Sequence, residues 1–243
     1  MKKTNVGIQG SSEVDYETLL KSEALLKNRE QIIIRQIRDV IDDVTVRTGK
    51  TNLTILEVGF GNGNVLRILS DIYKDATFTG LEVRAKSVEV MTELGYDCRL
   101  TKTELFNEYF VSGETFDIIY GLGVLHHMSD PYKSLESLIG LLKPGGSVVF
   151  FREHHKYDLL SHLYATIRGN WKYEKNTFKV KRRKFKELLG KHTENYSVRY
   201  DSNTLAMCFK HFNSVYCKLK LNRFPLINGI TIYAKISKGV KSS

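Results

Sequence analysis

The run Ile55-Leu56-Glu57-Val58-Gly59-Phe60-Gly61-Asn62-Gly63-Asn64 is where this chain is best equipped for chemistry. An apolar segment, Leu53 to Val58, ends in three glycines at alternate positions, and a helical pattern begins near Val65. Glycine is needed where the backbone turns at positive φ or must come within contact distance of a ligand. A strand, a glycine turn and a helix start build a nucleotide pocket at the carboxyl end of an open α/β sheet, beside the positive end of the helix. The spacing is Glu-x-Gly-x-Gly-x-Gly. It is neither Gly-x-Gly-x-x-Gly nor the phosphate-cradling Gly-x-x-x-x-Gly-Lys-Ser/Thr. A carboxylate two residues before the first glycine offers a pyrophosphate nothing, but it suits a ligand that carries an ammonium group.

Other residues join this loop. Glu82 closes a second apolar segment, as Gly80-Leu81-Glu82-Val83. An acid there can accept hydrogen bonds from both ribose hydroxyls, or it can simply complement a helix N-terminus. His126 and His127 end the segment after the fourth predicted strand, where an imidazole could take the proton of a substrate hydroxyl; packing or capping is the plainer alternative. Glu153-His154-His155 lie at the same edge of the sheet. Their adjacent side chains diverge and no third ligand is evident, so no metal is expected. Tyr16, Trp171, Tyr173 and Phe178 could line a substrate pocket or only pack.

The elements that must position these residues alternate. Strands are predicted over 53–58, 76–81, 96–100, 116–120 and 147–152. Helices are predicted over 64–73, 85–94, 104–109 and 131–142, with Lys143-Pro144-Gly145-Gly146 as a turn. Such alternation implies a parallel sheet with helices on both faces. Glu13 to Thr48 reads as helical before it, after a loose polar start over Met1 to Ser12. Helices over 156–169 and 179–191 and strands over 196–200 and 229–237 follow. The last strand comes without a long preceding helix and is expected to pair antiparallel. The expected organisation is a helical N-terminal cap (1–48) and an α/β domain (49–243) with an insertion near 155–190.

Composition sets the outer bounds. With 243 residues, 42% hydrophobic and 26% charged, the chain reads as globular. Its longest apolar stretches are strand-sized, so no membrane span is expected. The start carries two lysines without an apolar stretch behind them, which excludes a signal peptide and gives a cytoplasmic expectation. Cys98, Cys208 and Cys217 are scattered, with no Cys-x-x-Cys pair for zinc or a disulfide framework. The net charge of +10 raises the prospect of an anionic partner, nucleic acid included. Much of the excess lies in and after Lys179-Val180-Lys181-Arg182-Arg183-Lys184-Phe185-Lys186, where a solvated face is the simpler account.

Taken in order, Glu57-x-Gly59-x-Gly61-x-Gly63, Glu82, Phe116-Asp117-Ile118-Ile119-Tyr120, Leu125-His126-His127 and Leu142-Lys143-Pro144-Gly145-Gly146 resemble the class I S-adenosylmethionine-dependent methyltransferases, in particular the broad small-molecule type. The resemblance covers about residues 50–152. It implies a doubly wound, Rossmann-like seven-stranded sheet with the last strand antiparallel. It implies S-adenosyl-L-methionine as cofactor and a small-molecule methyl acceptor. Gly59, Gly61 and Gly63 would wrap the methionine and ribose parts, Glu57 would sit near the amino group, Glu82 would hold the ribose, and Gly121 and Leu122 would offer backbone to the methionyl part. His127, and less so His126, are the catalytic candidates, while Asp117 would be structural. One departure stands out: Lys102 occupies the place where relatives often carry an adenine-contacting acid, which leaves Thr101, Thr103 or apolar walls for that contact. A non-catalytic cofactor-binding module, or a methyltransferase acting on nucleic acid, fits the same motifs. A dinucleotide dehydrogenase is disfavoured by the early third glycine and the acid before the loop.

Overall fold

A computed structural model describes residues 29–104, 106–110, 113–155, 157–167, 179–202 and 229–236. The apolar run ahead of the glycines becomes β1 (Thr54–Val58), buried along nearly its whole length as a central parallel strand must be. Around it, in chain order, stand α1 (Arg29–Thr48), α2 (Asn64–Ile72), β2 (Thr77–Glu82), α3 (Ala85–Glu93), β3 (Asp97–Leu100), α4 (Phe106–Tyr109) and β4 (Phe116–Leu122). A 3-10 turn (Leu125–His127), α5 (Pro131–Ile139), β5 (Leu142–Glu153), α6 (Leu159–Ile167), α7 (Arg182–His192), β6 (Tyr196–Ser202) and β7 (Gly229–Lys235) complete the described elements.

The strands form one seven-stranded sheet in the order β3-β2-β1-β4-β5-β7-β6. The pairs from β3 to β5 are parallel, and β7 inserts antiparallel between β5 and β6, as expected for the last strand. Period-two alternation divides the core between the two faces. Ile55, Ile118 and Val149 join Ile33, Ile37, Ile41 and Val44 of α1 and Leu66 and Leu69 of α2 on one face. Leu56, Ile119 and Phe150 join Phe106, Leu125, Leu135, Leu138, Phe185 and Leu189 on the other. The helical spacing of the α1 isoleucines thus lays that helix directly on the sheet.

Local chemistry sets the element ends. Asp130 caps α5 by accepting from the Tyr132 and Lys133 amides, with Pro131 at the first helical position. Asp117 accepts from the Thr54 amide at 2.9 Å and from Lys143 Nζ at 2.8 Å, pinning the starts of β1, β4 and β5 together. Burial pushes the Asp117 carboxyl up, but the Lys143 and Thr54 hydrogen bonds outweigh it and hold its pKa below the usual aspartate value.

Two expectations need correction. The helix foreseen over 131–142 stops at Ile139, and Lys143-Pro144-Gly145-Gly146 lies inside β5 instead of forming a free turn. The Gly145 amide donates to the Ile236 carbonyl, and the Ile236 amide donates to Gly146, so the edge of β7 holds this segment in the sheet. Gly145, at φ 84°, absorbs the register shift that places Leu142 opposite Phe116 but Ser147 opposite Ile118. Among the described residues no helix is long and apolar enough to cross a membrane. Tyr16, Trp171, Tyr173, Phe178, Cys208, Cys217 and the polar start lie outside the described residues.

Candidate functional site

The three glycines after β1 all have left-handed φ, 69° at Gly59, 62° at Gly61 and 75° at Gly63. They do not all make room for the same thing. A Cβ at Gly59 would fall 2.5 Å from Val124 Cγ2, and one at Gly63 would fall 2.2 Å from Met91 Sδ. Gly121, at the end of β4, likewise gives way to Phe150 and Val124. These positions are glycine because the protein's own side chains fill the space. At Gly61 the nearest heavy atom is Arg84 Nη2, 3.4 Å away, so this is the one glycine of the loop that opens on the cleft.

Glu82 holds that loop. Its Oε2 accepts from the Gly61 amide at 2.9 Å and from the Arg84 guanidinium at 3.3 Å. Its Oε1 accepts from the Val83 and Arg84 amides at 2.8 and 3.2 Å. The carboxylate predicted to hold a sugar thus stands at the end of β2 beside the open glycine, with the exposed end of Arg84 on the oxygen a diol would use. A group with two vicinal hydroxyls would meet this carboxylate by taking the place of the guanidinium.

Glu57 lies beneath the loop, 1% exposed, and accepts from the Tyr120 hydroxyl at 2.8 Å across the β1–β4 register. Burial pushes its pKa up to about 8, against the opposing Tyr120 hydrogen bond. Burial, with Glu57 beside it, also raises the Tyr120 phenol well above its ordinary value. Gly121 and the half-buried Leu122 end β4 next to Val58, facing the same edge. In the segment after β3 the Thr101 hydroxyl is engaged with the backbone of Thr103, and Glu104 reaches across to the Ser129 amide and hydroxyl. The second contact ties the loop after β3 to the loop after β4.

The other half of the edge is built by an irregularity. Phe150 stands opposite Ile232 but Glu153 opposite Ile230, so β5 holds one extra residue, and Arg152 adopts φ 59° there. Bulges of this kind re-aim side chains next to active sites. Here the shift moves Glu153 to the face that carries Phe150, Leu125 and Met128. Glu153 is wholly buried and accepts from the Val124 and His126 amides at 3.0 and 2.9 Å, with His126 Nδ1 at 2.8 Å. Burial raises its pKa to about 7, opposed by those amides. Burial lowers His126 well below the ordinary imidazole value, with His127, His154 and Arg152 adding to the shift. The neutral His126 ring therefore donates Nδ1–H to Glu153. A ring so enclosed serves the loop and is badly placed to meet an acceptor.

His127 is half-buried beside it, with ring centroids 4.1 Å apart, and His154 meets His126 edge-on at 4.8 Å. His154 Nδ1 lies 2.9 Å from Asp158 Oδ2. The structure thus gathers His126, His127, Glu153 and His154 at one edge and Glu57, Gly61 and Glu82 at the adjoining one. The sequence reading missed Arg84, the loop-holding role of Glu153, and Asp158. An acid four residues after His154, inside the helix predicted over 156–169, was the only available signal for the last of these. Among the described residues no cluster of three or more His, Cys, Asp or Glu side chains could hold a metal.

The chain is similar to the ubiquinone biosynthesis O-methyltransferase of Colwellia psychrerythraea, 25% identical over 143 residues that make up 57% of this chain and 56% of that protein. The enzyme of the same name from Actinobacillus pleuropneumoniae is 36% identical over 107 residues, 40% of this chain and 44% of that one. The chain therefore spans about half the length of the curated relatives it matches. Among solved structures, the plantazolicin methyltransferase BpumL in complex with SAH shares the fold, with a TM-score of 0.60 at 15% identity over 94% of this chain and 92% of that one. An S-adenosylmethionine-dependent methyltransferase from Archaeoglobus fulgidus gives 0.57 at 15% identity, over 91% and 100% of the two chains. A family model described as a methyltransferase domain matches residues 28–213, and the chain belongs to that methyltransferase-domain family.

Proposed function

We propose that this chain transfers a methyl group from S-adenosyl-L-methionine to a small-molecule acceptor by in-line displacement. The observation that carries this reading is the junction of Gly61 and Glu82: an open glycine cradle whose amide is bonded to a carboxylate at the end of β2. When bound, the cofactor supplies an electrophilic methyl group on a sulfonium centre. Residues of this chain supply the rest. Glu82 would hold the ribose diol and Gly61 would give the loop its close approach. Gly121 and Leu122 would offer backbone to the methionyl part, and Glu57 would sit near the cofactor amino group. Alignment of reactants and exclusion of water carry most of such a reaction. The two ubiquinone biosynthesis O-methyltransferases are named for oxygen as the attacked atom, which favours oxygen over nitrogen or carbon here.

A nucleic-acid acceptor draws on the basic segment around α7, where Arg182, Lys186 and Arg199 border an open groove of about 450 Å³. One of these cations is already used internally, and a neighbouring arginine is paired on the surface. Arg182 donates to the Val198 carbonyl and lies over Tyr200, and Arg183 pairs with Glu187. The small-molecule reading is therefore preferred. Titration calorimetry with S-adenosylmethionine, its demethylated product and NAD tests the cofactor assignment: binding of the first two and not the third is expected, and the reverse overturns it. A steep fall of RNA affinity with salt would favour the nucleic-acid reading instead.

A further inference from the structure

We propose that α6 and the start of α7 together form a surface that docks on an anionic lipid bilayer. Leu159, Leu163 and Ile167 recur every fourth residue along α6, so they share one face of that helix. They are 62%, 55% and 75% exposed, and Tyr157 just ahead of them is exposed as well. A surface helix ordinarily turns such a stripe toward the core. One exposed leucine means little, but an outward apolar row continued along a helix marks an interaction surface. Aliphatic side chains suit acyl chains better than a protein partner, whose strongest contacts fall on Trp, Tyr and Arg with Leu under-represented. The acids of the same stretch, Glu153 and Asp158, are buried, so neither presents its charge to a headgroup.

Cations stand beside this row. The run from Lys179 to Lys186 holds six of them and no acid. Because α7 buries Phe185, Leu188 and Leu189 in the core, Lys181, Arg183, Lys184 and Lys186 are left exposed. Ring contacts link the starts of the two helices. The His155 ring lies 6.2 Å from that of Tyr157 and 5.1 Å from that of Tyr200, and the Arg182 guanidinium lies 4.9 Å over Tyr200. Both starts therefore stand at the edge where β5 and β6 end, the edge that carries the candidate site. A bilayer offers an acyl boundary directly beneath anionic headgroups, so the apolar row enters the first while the cations stay among the second. RNA would meet the cations but leave the leucines in water. This docking is independent of which molecule accepts the methyl group.

Co-sedimentation of the full chain with vesicles provides the test. Vesicles of equal parts phosphatidylglycerol and phosphatidylcholine are expected to carry the protein down, and vesicles of phosphatidylcholine alone are not. Added salt should weaken the binding, because the cations act through a screened surface potential. Leu163→Ser combined with Ile167→Ser should lower the partition coefficient about tenfold, since the row then buries less apolar surface. Lys181→Gln combined with Lys186→Gln should lower it about 25-fold, at about fivefold per basic residue. All four positions are exposed, so circular dichroism and the urea midpoint should stay as in the wild type. No binding to the anionic vesicles overturns the proposal, and so does a loss confined to one of the two double variants. Without vesicle binding, a dimer in light scattering that Leu163→Ser dissolves would assign the row to a second copy of this chain. RNA binding that falls steeply with salt, again without vesicle binding, would assign the cations to nucleic acid.

Discussion

The two halves of the candidate site are built by opposite means. Around Gly61 and Glu82, space comes from an absent side chain, and a carboxylate is held mainly by backbone amides of its own neighbourhood. Around Glu153 and His154, the geometry comes from an extra residue in β5, a left-handed Arg152 and acids that reach into a separate turn or helix start. The first half is preorganised by local chain chemistry, and the second by tertiary register. Changes at Gly61 and Glu82 should therefore act on ligand binding with the fold preserved. Changes in the second should alter turnover or stability.

The largest effect expected is total loss of cofactor binding in Gly61→Val, with circular dichroism unchanged, because the branched side chain fills the cradle. Gly63→Val serves as the contrast: its Cβ would collide with Met91 Sδ, so folding should fail instead. Retained affinity in the first variant would remove the loop from the site.

Next in size is a pH effect seated under the loop. The Glu57 carboxyl is raised by burial from 4.5 to about 8. As pH rises through 4.5 the unfolded chain ionises this group while the folded chain keeps it protonated, so stability is lost progressively up to about pH 8. The loss is at most on the order of 5 kcal/mol. Glu57→Gln keeps an acceptor for Tyr120 and removes the titration. Urea midpoints should show the variant gaining on the wild type from pH 5 to 8, and a difference independent of pH would refute it. Glu153, raised to about 7, adds a smaller loss of the same sign to both proteins.

Glu82→Ala should weaken cofactor binding by about 1.5–3 kcal/mol, the usual worth of hydrogen bonds to a charged group, and calorimetry reads it directly. That Glu82 could be singled out in the sequence at all reflects how local its half of the site is. Three glycines, an acid and the strand endings stand within one βαβ unit, and each residue type answers a need of its own backbone. The alternation of strands and helices was legible for the same reason. What stayed hidden depends on partners distant in the chain. Lys143-Pro144-Gly145-Gly146 looks like a turn until β7 supplies hydrogen bonds to it. Glu153 looks like a neighbour of His154 until the bulge turns it toward the 3-10 turn, and Asp158 has no evident purpose until α6 fixes its place. Met91 and Val124 explain two of the glycines, and no pattern within the loop points to either.

A smaller change tests the second half directly. Arg152 at φ 59° holds a conformation that costs a residue with a Cβ about 1–2 kcal/mol. Arg152→Gly relieves this but loosens the unfolded chain, so a net gain of about 0.5–1 kcal/mol is expected with the bulge kept. Thermal unfolding should move up by a few degrees and His126 should keep its bond to Glu153. A large loss of stability would mean that the arginine side chain, not the backbone shape, maintains the register.

The smallest effect belongs to Arg84, the side chain nearest the open glycine. Its guanidinium sits 3.3 Å from the Glu82 oxygen that also takes the Gly61 amide, and the side chain is 36% exposed. A ribose diol seeking that oxygen must displace it, so the pair opposes binding by what it is worth in water, about 0.2–1 kcal/mol. Arg84→Ala should therefore bind S-adenosylmethionine more tightly than the wild type, by at most about fivefold. Salt supplies the control, because screening weakens an exposed ion pair. Measured by calorimetry at low and high ionic strength, the advantage of the variant should shrink as the wild-type pair is screened. An Arg84→Ala protein that binds more weakly at both would instead make the guanidinium a contact of the ligand, and the two halves of the site would then share the same dependence on a side chain set by tertiary structure.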